Sequence, residues 1–160
     1  MFCFVESQAA AAAVFTAIPP NPFTVLEGSN IPLEWSYDLG GGSFRRIEFT
    51  KIASPFTVLI LEVDTVGQTP AYLNSDYIGR LQVNVTATQT SITIIGANRT
   101  VDGNDYQFGL FFLGGPPIFS AVTISVQGKY TSRSVQFLVL EIVTKVSNNT
   151  YEFGTYFHFT

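Results

Sequence analysis

Cysteine is almost missing from this chain. The one present, Cys3, lies at the extreme N-terminus, so no internal disulfide can close and no thiolate zinc site can assemble. Histidine is as scarce. A Ser/His/Asp or Cys/His catalytic arrangement would have to use His158, close to the C-terminus, and chain ends hold a reacting group poorly. Charge is thin as well: 12% of residues, with 8 Lys+Arg against 12 Asp+Glu. No basic run occurs, which excludes the cationic footprint that nucleic acid or an anionic membrane surface requires. No His or acid cluster has metal-ligand spacing. Glu62 and Asp64, two apart, could nominally act as paired acids or Ca²⁺ ligands, but such a pair is more often a solvated strand end. The glycine-rich GGGS (40–43) and LGGPP (113–117) do not lead into a helix, so neither forms a phosphate cradle. Neither an enzyme nor a cofactor-binding protein is expected.

What the chain has in quantity is strand-forming residues. It is 46% hydrophobic and 14% aromatic over 160 residues, the reverse of a disordered composition and enough to bury the core of one domain. IPLEWSYDL (31–39) alternates, with Ile31, Leu33, Trp35 and Tyr37 on one face. FRRIEFTKI (44–52) alternates too, sending Ile47 and Phe49 one way and Arg46, Glu48 and Thr50 the other. FTVLILEV (56–63), GRLQVNVTA (79–87), TSITIIG (90–96), DYQFGLFF (105–112) and SAVTISVQ (120–127) continue the series. No helical period of useful length interrupts them. Eight or nine short strands separated by turn signals predict an all-β, two-sheet antiparallel sandwich.

Residues 106–128 carry no charge and are long enough to span a membrane, but LGGPP breaks the run, so two strands and a turn are expected there. The stretch 135–146 is too short to span and holds Glu141 and Lys145. At the N-terminus, MFCFVESQAAAAAVFTAI (1–18) is apolar like a secretory signal, yet it lacks a basic start and Glu6 interrupts it. Residues 1–19 are therefore expected to be a signal remnant or a disordered extension. The proline-rich IPPNP (18–22) would open a domain covering 20–128, and 129–160 would form a strand-like C-terminal extension of a different nature. Asn84, Asn98 and Asn148 each begin an N-x-[ST] sequon. They weigh against the reducing compartment that the cysteine count suggests.

The string GRLQVNVTATQTSITIIGANRTVDGNDYQF resembles the D–E–F region of a variable-type immunoglobulin domain. The matches are Arg80, Val83, Ser91-Ile92-x-Ile94, Asp102 and Tyr106. VLEGSNIPLEWSY resembles that family's A′–B pattern, which puts Trp35 at the first cysteine position, Phe49 at the strand-C tryptophan and Phe108 at the second cysteine. Phe49 and Phe108 follow Trp35 by 14 and 73 residues, ordinary intervals for the family. The resemblance implies a Greek-key sandwich, a tyrosine corner at Tyr106 and an Arg80–Asp102 salt bridge. It also implies that Trp35, Phe49, Tyr106 and Phe108 form the core in place of the disulfide. Such a bond contributes ~2–5 kcal/mol. A buried large side chain contributes ~1.5–3 kcal/mol and an aromatic pair ~0.5–1.5 kcal/mol more, so the substitution is energetically adequate.

In function, the resemblance implies an extracellular or cell-surface recognition or adhesion module that binds protein, a second copy of itself included. Cysteine-poor domains of this form resemble those of invertebrate, especially cnidarian, allorecognition and adhesion proteins. Binding is expected on the face carrying Arg46, Glu48, Gln107, Gly109, Phe111, Thr123 and Ser125, with Phe111 as the outward apolar anchor and Arg46 and Glu48 pairing reciprocally across a two-fold axis. A spacer domain with no ligand, or a soluble carbohydrate-binding sandwich, are the alternatives. No nucleic acid and no membrane insertion within the chain are expected.

Overall fold

A computed structural model describes residues 12–128; Cys3, Asn148, His158 and the extension 129–160 lie outside the described residues. Ten strands form in chain order: β1 (Val14–Ala17), β2 (Phe23–Leu26), β3 (Ile31–Asp38), β4 (Ser43–Ala53), β5 (Phe56–Val63), β6 (Tyr72–Leu73), β7 (Leu81–Val85), β8 (Gln89–Ile94), β9 (Asp105–Leu113) and β10 (Ile118–Gln127). One helical turn, α1 (Arg99–Asp102), precedes β9, and a short 3₁₀ turn spans Ser75–Tyr77. Asn98 caps α1, its side-chain oxygen accepting from the Thr100 amide at 2.9 Å.

The strands make two sheets. One has four strands in the order β1-β3-β8-β7, the other six in the order β2-β10-β9-β4-β5-β6. Every pairing is antiparallel except β2 with β10, which run parallel. This departs from an all-antiparallel sandwich. The chain descends as β1 in one sheet, crosses over at Pro19–Pro22, and enters the other sheet heading the same way as β10.

The domain therefore starts earlier than the proline-rich segment suggests. Val14, Phe15 and Ala17 pair with Asp38, Tyr37 and Ser36, and the Phe15 ring packs on Phe108 with centroids 6.0 Å apart. At least residues 14–19, expected to be signal remnant or disordered extension, belong to the fold. Their apolar character fits core packing as well as it fits a leader.

Alternation puts the core where the two inner faces meet. Ile31, Leu33, Trp35 and Tyr37 of β3 oppose Ile47 and Phe49 of β4, with Tyr106, Phe108 and Leu110 of β9 and Ile92 and Ile94 of β8, and all are buried. A register shift between Phe49 and Thr50 lets both Ile60 and Leu61 of β5 turn inward.

Candidate protein-recognition face

The aromatic centre is built by three strands, β3, β4 and β9. Trp35 stacks on Phe108, with centroids 4.4 Å apart and planes at 12°. Phe49 meets Trp35 edge-on at 6.0 Å and stacks on Tyr106 at 5.2 Å. The indole N–H of Trp35 donates to Ser120 Oγ at 3.1 Å, which satisfies its one polar atom. These four side chains bridge the sheets where the resemblance would put a disulfide and its tryptophan.

At one end of the sandwich a polar network closes the fold. The Tyr106 hydroxyl donates to the Asp102 carbonyl at 3.1 Å and meets the Tyr77 hydroxyl at 3.2 Å. Arg80 reaches the fully buried Asp102 carboxylate at 2.5 Å and the Gly96 carbonyl at 3.0 Å. The other Asp102 contact is the Asn98 amide, donating at 2.8 Å. Removal from water pushes the Tyr106 phenol far above its ordinary value near 10, and the bond from Tyr77 acts in the same direction. Each of these polar groups has an internal partner.

The outward faces of the two sheets differ. On the four-stranded sheet most outward side chains are polar, among them Glu34, Gln82, Asn84, Ser91 and Thr93, with Val14 and Pro32 beside them, and Glu34 accepts from Gln89. Asn84 is exposed on the edge strand β7, and Asn98 is exposed at the α1 cap.

The six-stranded sheet carries the expected binding residues, but not as one patch. Arg46 lies opposite Phe111, Glu48 opposite Gly109, and Thr50 opposite Gln107, so these do cluster. Thr123 lies lower on β10 and donates to Asp105 at 2.7 Å. Ser125 sits lower still, beside Thr24 of β2. It is six residues from Phe119, about 20 Å along a strand.

Two expectations about this face are corrected. Phe111 is half-buried and not a free anchor, because the Arg46 guanidinium lies over its ring at 4.6 Å and Phe119 meets it edge-on at 6.0 Å. Arg46 and Glu48 pair with each other at 2.8 Å within one chain, so reciprocal pairing across a two-fold axis would have to break an existing bond. The exposed ring is Phe119, at 52%. Gly109, read as a small outward residue, is buried because rings cover it. A Cβ there would lie 3.0 Å from Phe119 Cε1 and 3.2 Å from Phe111 Cε2.

Phe119 escaped the sequence reading because β10 was expected to begin at Ser120. Tyr72, exposed at 45%, escaped because a two-residue strand has no period to read. Glu62 lies opposite both Glu48 and Tyr72 on this face, while exposed Asp64 falls beyond the end of β5. Among the described residues no three His, Cys, Asp or Glu side chains gather as a metal site, and no helix is long and apolar enough to cross a membrane. A shallow open groove between β1 and β10 is lined by Phe15, Ile18 and Phe119.

Comparison with solved structures defines the class. The chain superposes on the structure of murine CRIg with a TM-score of 0.61 and 17% identity, covering 73% of this chain and 99% of that one. It matches equally well a chain from a structure described as the structural basis of T cell specificity and activation by the bacterial superantigen toxic shock syndrome toxin-1. There the TM-score is 0.62 and identity 15%, with coverage of 72% and 100%. No family model and no curated protein matches the chain. At these identities the likeness is one of fold: the chain is an all-β, immunoglobulin-like two-sheet sandwich.

Proposed function

We propose that this chain is a variable-type immunoglobulin-like recognition module, acting at the cell surface or outside the cell. In this reading it binds a protein partner through the outward face of the six-stranded sheet. One observation carries the reading: the two outward faces have opposite character. The four-stranded face is mostly polar and borders the sequon at Asn84, whereas the six-stranded face carries the rings of Tyr72, Phe111 and Phe119 among its carboxylates. Interface centres are enriched in aromatics, as this face is. A glycan on Asn84 or Asn98 would leave it clear.

The test uses the full chain as a tetramer applied to cells of the source organism, alongside sedimentation of the untagged chain for self-association. Phe119→Ser should weaken binding about tenfold, as loss of a central aromatic anchor does. Gln82→Lys, on the opposite face, should leave it unchanged. Equal effects from the two variants, or neither cell binding nor self-association at high concentration, would favour a spacer domain.

A further inference from the structure

The cross-strand register lines up five residues in a single row over the six-stranded face: Tyr72, Glu62, Glu48, Gly109 and Phe119. Adjacent strands are ~4.8 Å apart, so the row extends about 19 Å across the strands. Exposed rings stand at both ends and two carboxylates lie between them. The gap at Gly109 is closed by the Phe119 ring leaning over it, which brings that ring towards Glu48.

The charges along the row do not balance. Glu48 and Glu62 stand directly opposite each other, an arrangement that destabilises a sheet unless a cation answers it. Arg46 answers Glu48 only, and its guanidinium is held over Phe111. Among the described residues Glu62 has no cation within ion-pairing distance. Lys51 of β4 donates to the Val101 carbonyl at 2.7 Å. With Asp105, the strands of this face carry three outward carboxylates, against the Arg46 guanidinium and the exposed Arg45 at the β-bulge beside it. A second copy of the chain would bring the same surplus of negative charge against it.

We infer that this row docks a protein segment presenting basic side chains, arginine above all, across Glu62, Glu48 and the rings of Tyr72 and Phe119; the inference rests on the recognition reading above. A guanidinium is flat, stacks on aromatic faces and forks onto carboxylates, so it suits both elements of the row. Six extended residues reach about 20 Å and can cover it.

Two measurements test this. First, the isotopically labelled full chain is titrated with acetyl-Gly-Arg-Gly-Arg-Gly-amide and, separately, with the peptide bearing Glu at both Arg positions. Shifts should arise at Tyr72, Glu62, Glu48 and Phe119 with the arginine peptide alone and shrink with added salt. Shifts elsewhere, or equal shifts with the glutamate peptide, overturn the inference. Second, the cell-binding assay is repeated with Glu62→Gln and Glu62→Lys, which spare the Arg46–Glu48 pair, and with Asp64→Asn as a control of equal charge change. Binding should fall about three- to fivefold for Glu62→Gln, the range of one exposed ion pair, and further for Glu62→Lys. Asp64→Asn should bind like wild type.

If Phe119→Ser abolishes binding while Glu62→Gln and Glu62→Lys do not weaken it, the face is a docking site and its basic partner is refuted. Binding that ignores Glu62 but is lost when the cells are deglycosylated refutes it in favour of a glycan. Insensitivity to Phe119→Ser as well removes the recognition face itself.

Discussion

Trp35 and Phe108 lie face to face across the two sheets, and Ser120 accepts the indole proton beside them. Truncating Phe108 to alanine opens a cavity beneath the indole and should cost ~3–5 kcal/mol, read as a lower midpoint in urea denaturation. A loss under about 1 kcal/mol would show that this stack does not hold the sheets together. Ser120→Ala should cost ~1–3 kcal/mol, because it strands a buried N–H and changes little else.

The Arg80–Asp102 pair is asymmetric, since Asp102 is fully buried while Arg80 keeps a quarter of its side chain in solvent. Arg80→Met leaves a buried carboxylate without its cation and should destabilise the fold by ~3–5 kcal/mol. The reciprocal change, Asp102→Ala, frees an arginine that can turn to water, though it also removes the acceptor of the Asn98 amide. Chemical denaturation of both variants should rank Arg80→Met as the less stable.

Alkali should unfold the protein through its buried phenols. Burial is the first cause raising Tyr37, Tyr77 and Tyr106. The bond to Thr90 opposes it at Tyr37, and the bond to Tyr106 opposes it at Tyr77. The folded state holds these protons more tightly than the unfolded chain does. Their contribution is therefore complete below the unfolded value of about 10 and drains away above it, at up to about 1.4 kcal/mol per pH unit for each phenol. Denaturation midpoints should be flat from about pH 8 to 9.5 and fall steeply beyond 10. A midpoint unchanged at about pH 11 would mean that the phenols ionise without leaving the core.

Gly109→Ala places a methyl under two rings. The fold should survive, as judged by circular dichroism, at a cost of ~1–3 kcal/mol. The Phe119 ring must lift, so aromatic proton shifts of Phe119 and Phe111 should change and partner binding should weaken.

Much of this was legible in the chain because a half-buried strand writes its own periodicity. Trp35, Ile47, Phe49, Tyr106 and Phe108 fall on inward positions by alternation, and the resemblance to the family's corner motif pointed to Asp102 and Tyr106. The rest depended on register. Cross-strand neighbours such as Glu62 and Glu48, or Gly109 and Phe119, are distant in sequence, and no local pattern announces them. Phe111 shows the limit of alternation, which gives the direction of a side chain but not what covers it. β1 was missed for a related reason: an apolar segment beside an alanine run reads alike as a leader and as a strand.

The parallel pairing of β2 with β10 has a mechanical consequence. Phe23 of β2 sits beside Ile124 and Leu26 beside Gln127, so the start of β2 and the end of β10 lie at opposite ends of the same ladder. Tension applied between the start of β2 and the end of β10 would pull these strands past each other along their length. The ladder's hydrogen bonds would then share the load in shear and have to fail together. An antiparallel hairpin pulled open from one end would surrender them one at a time.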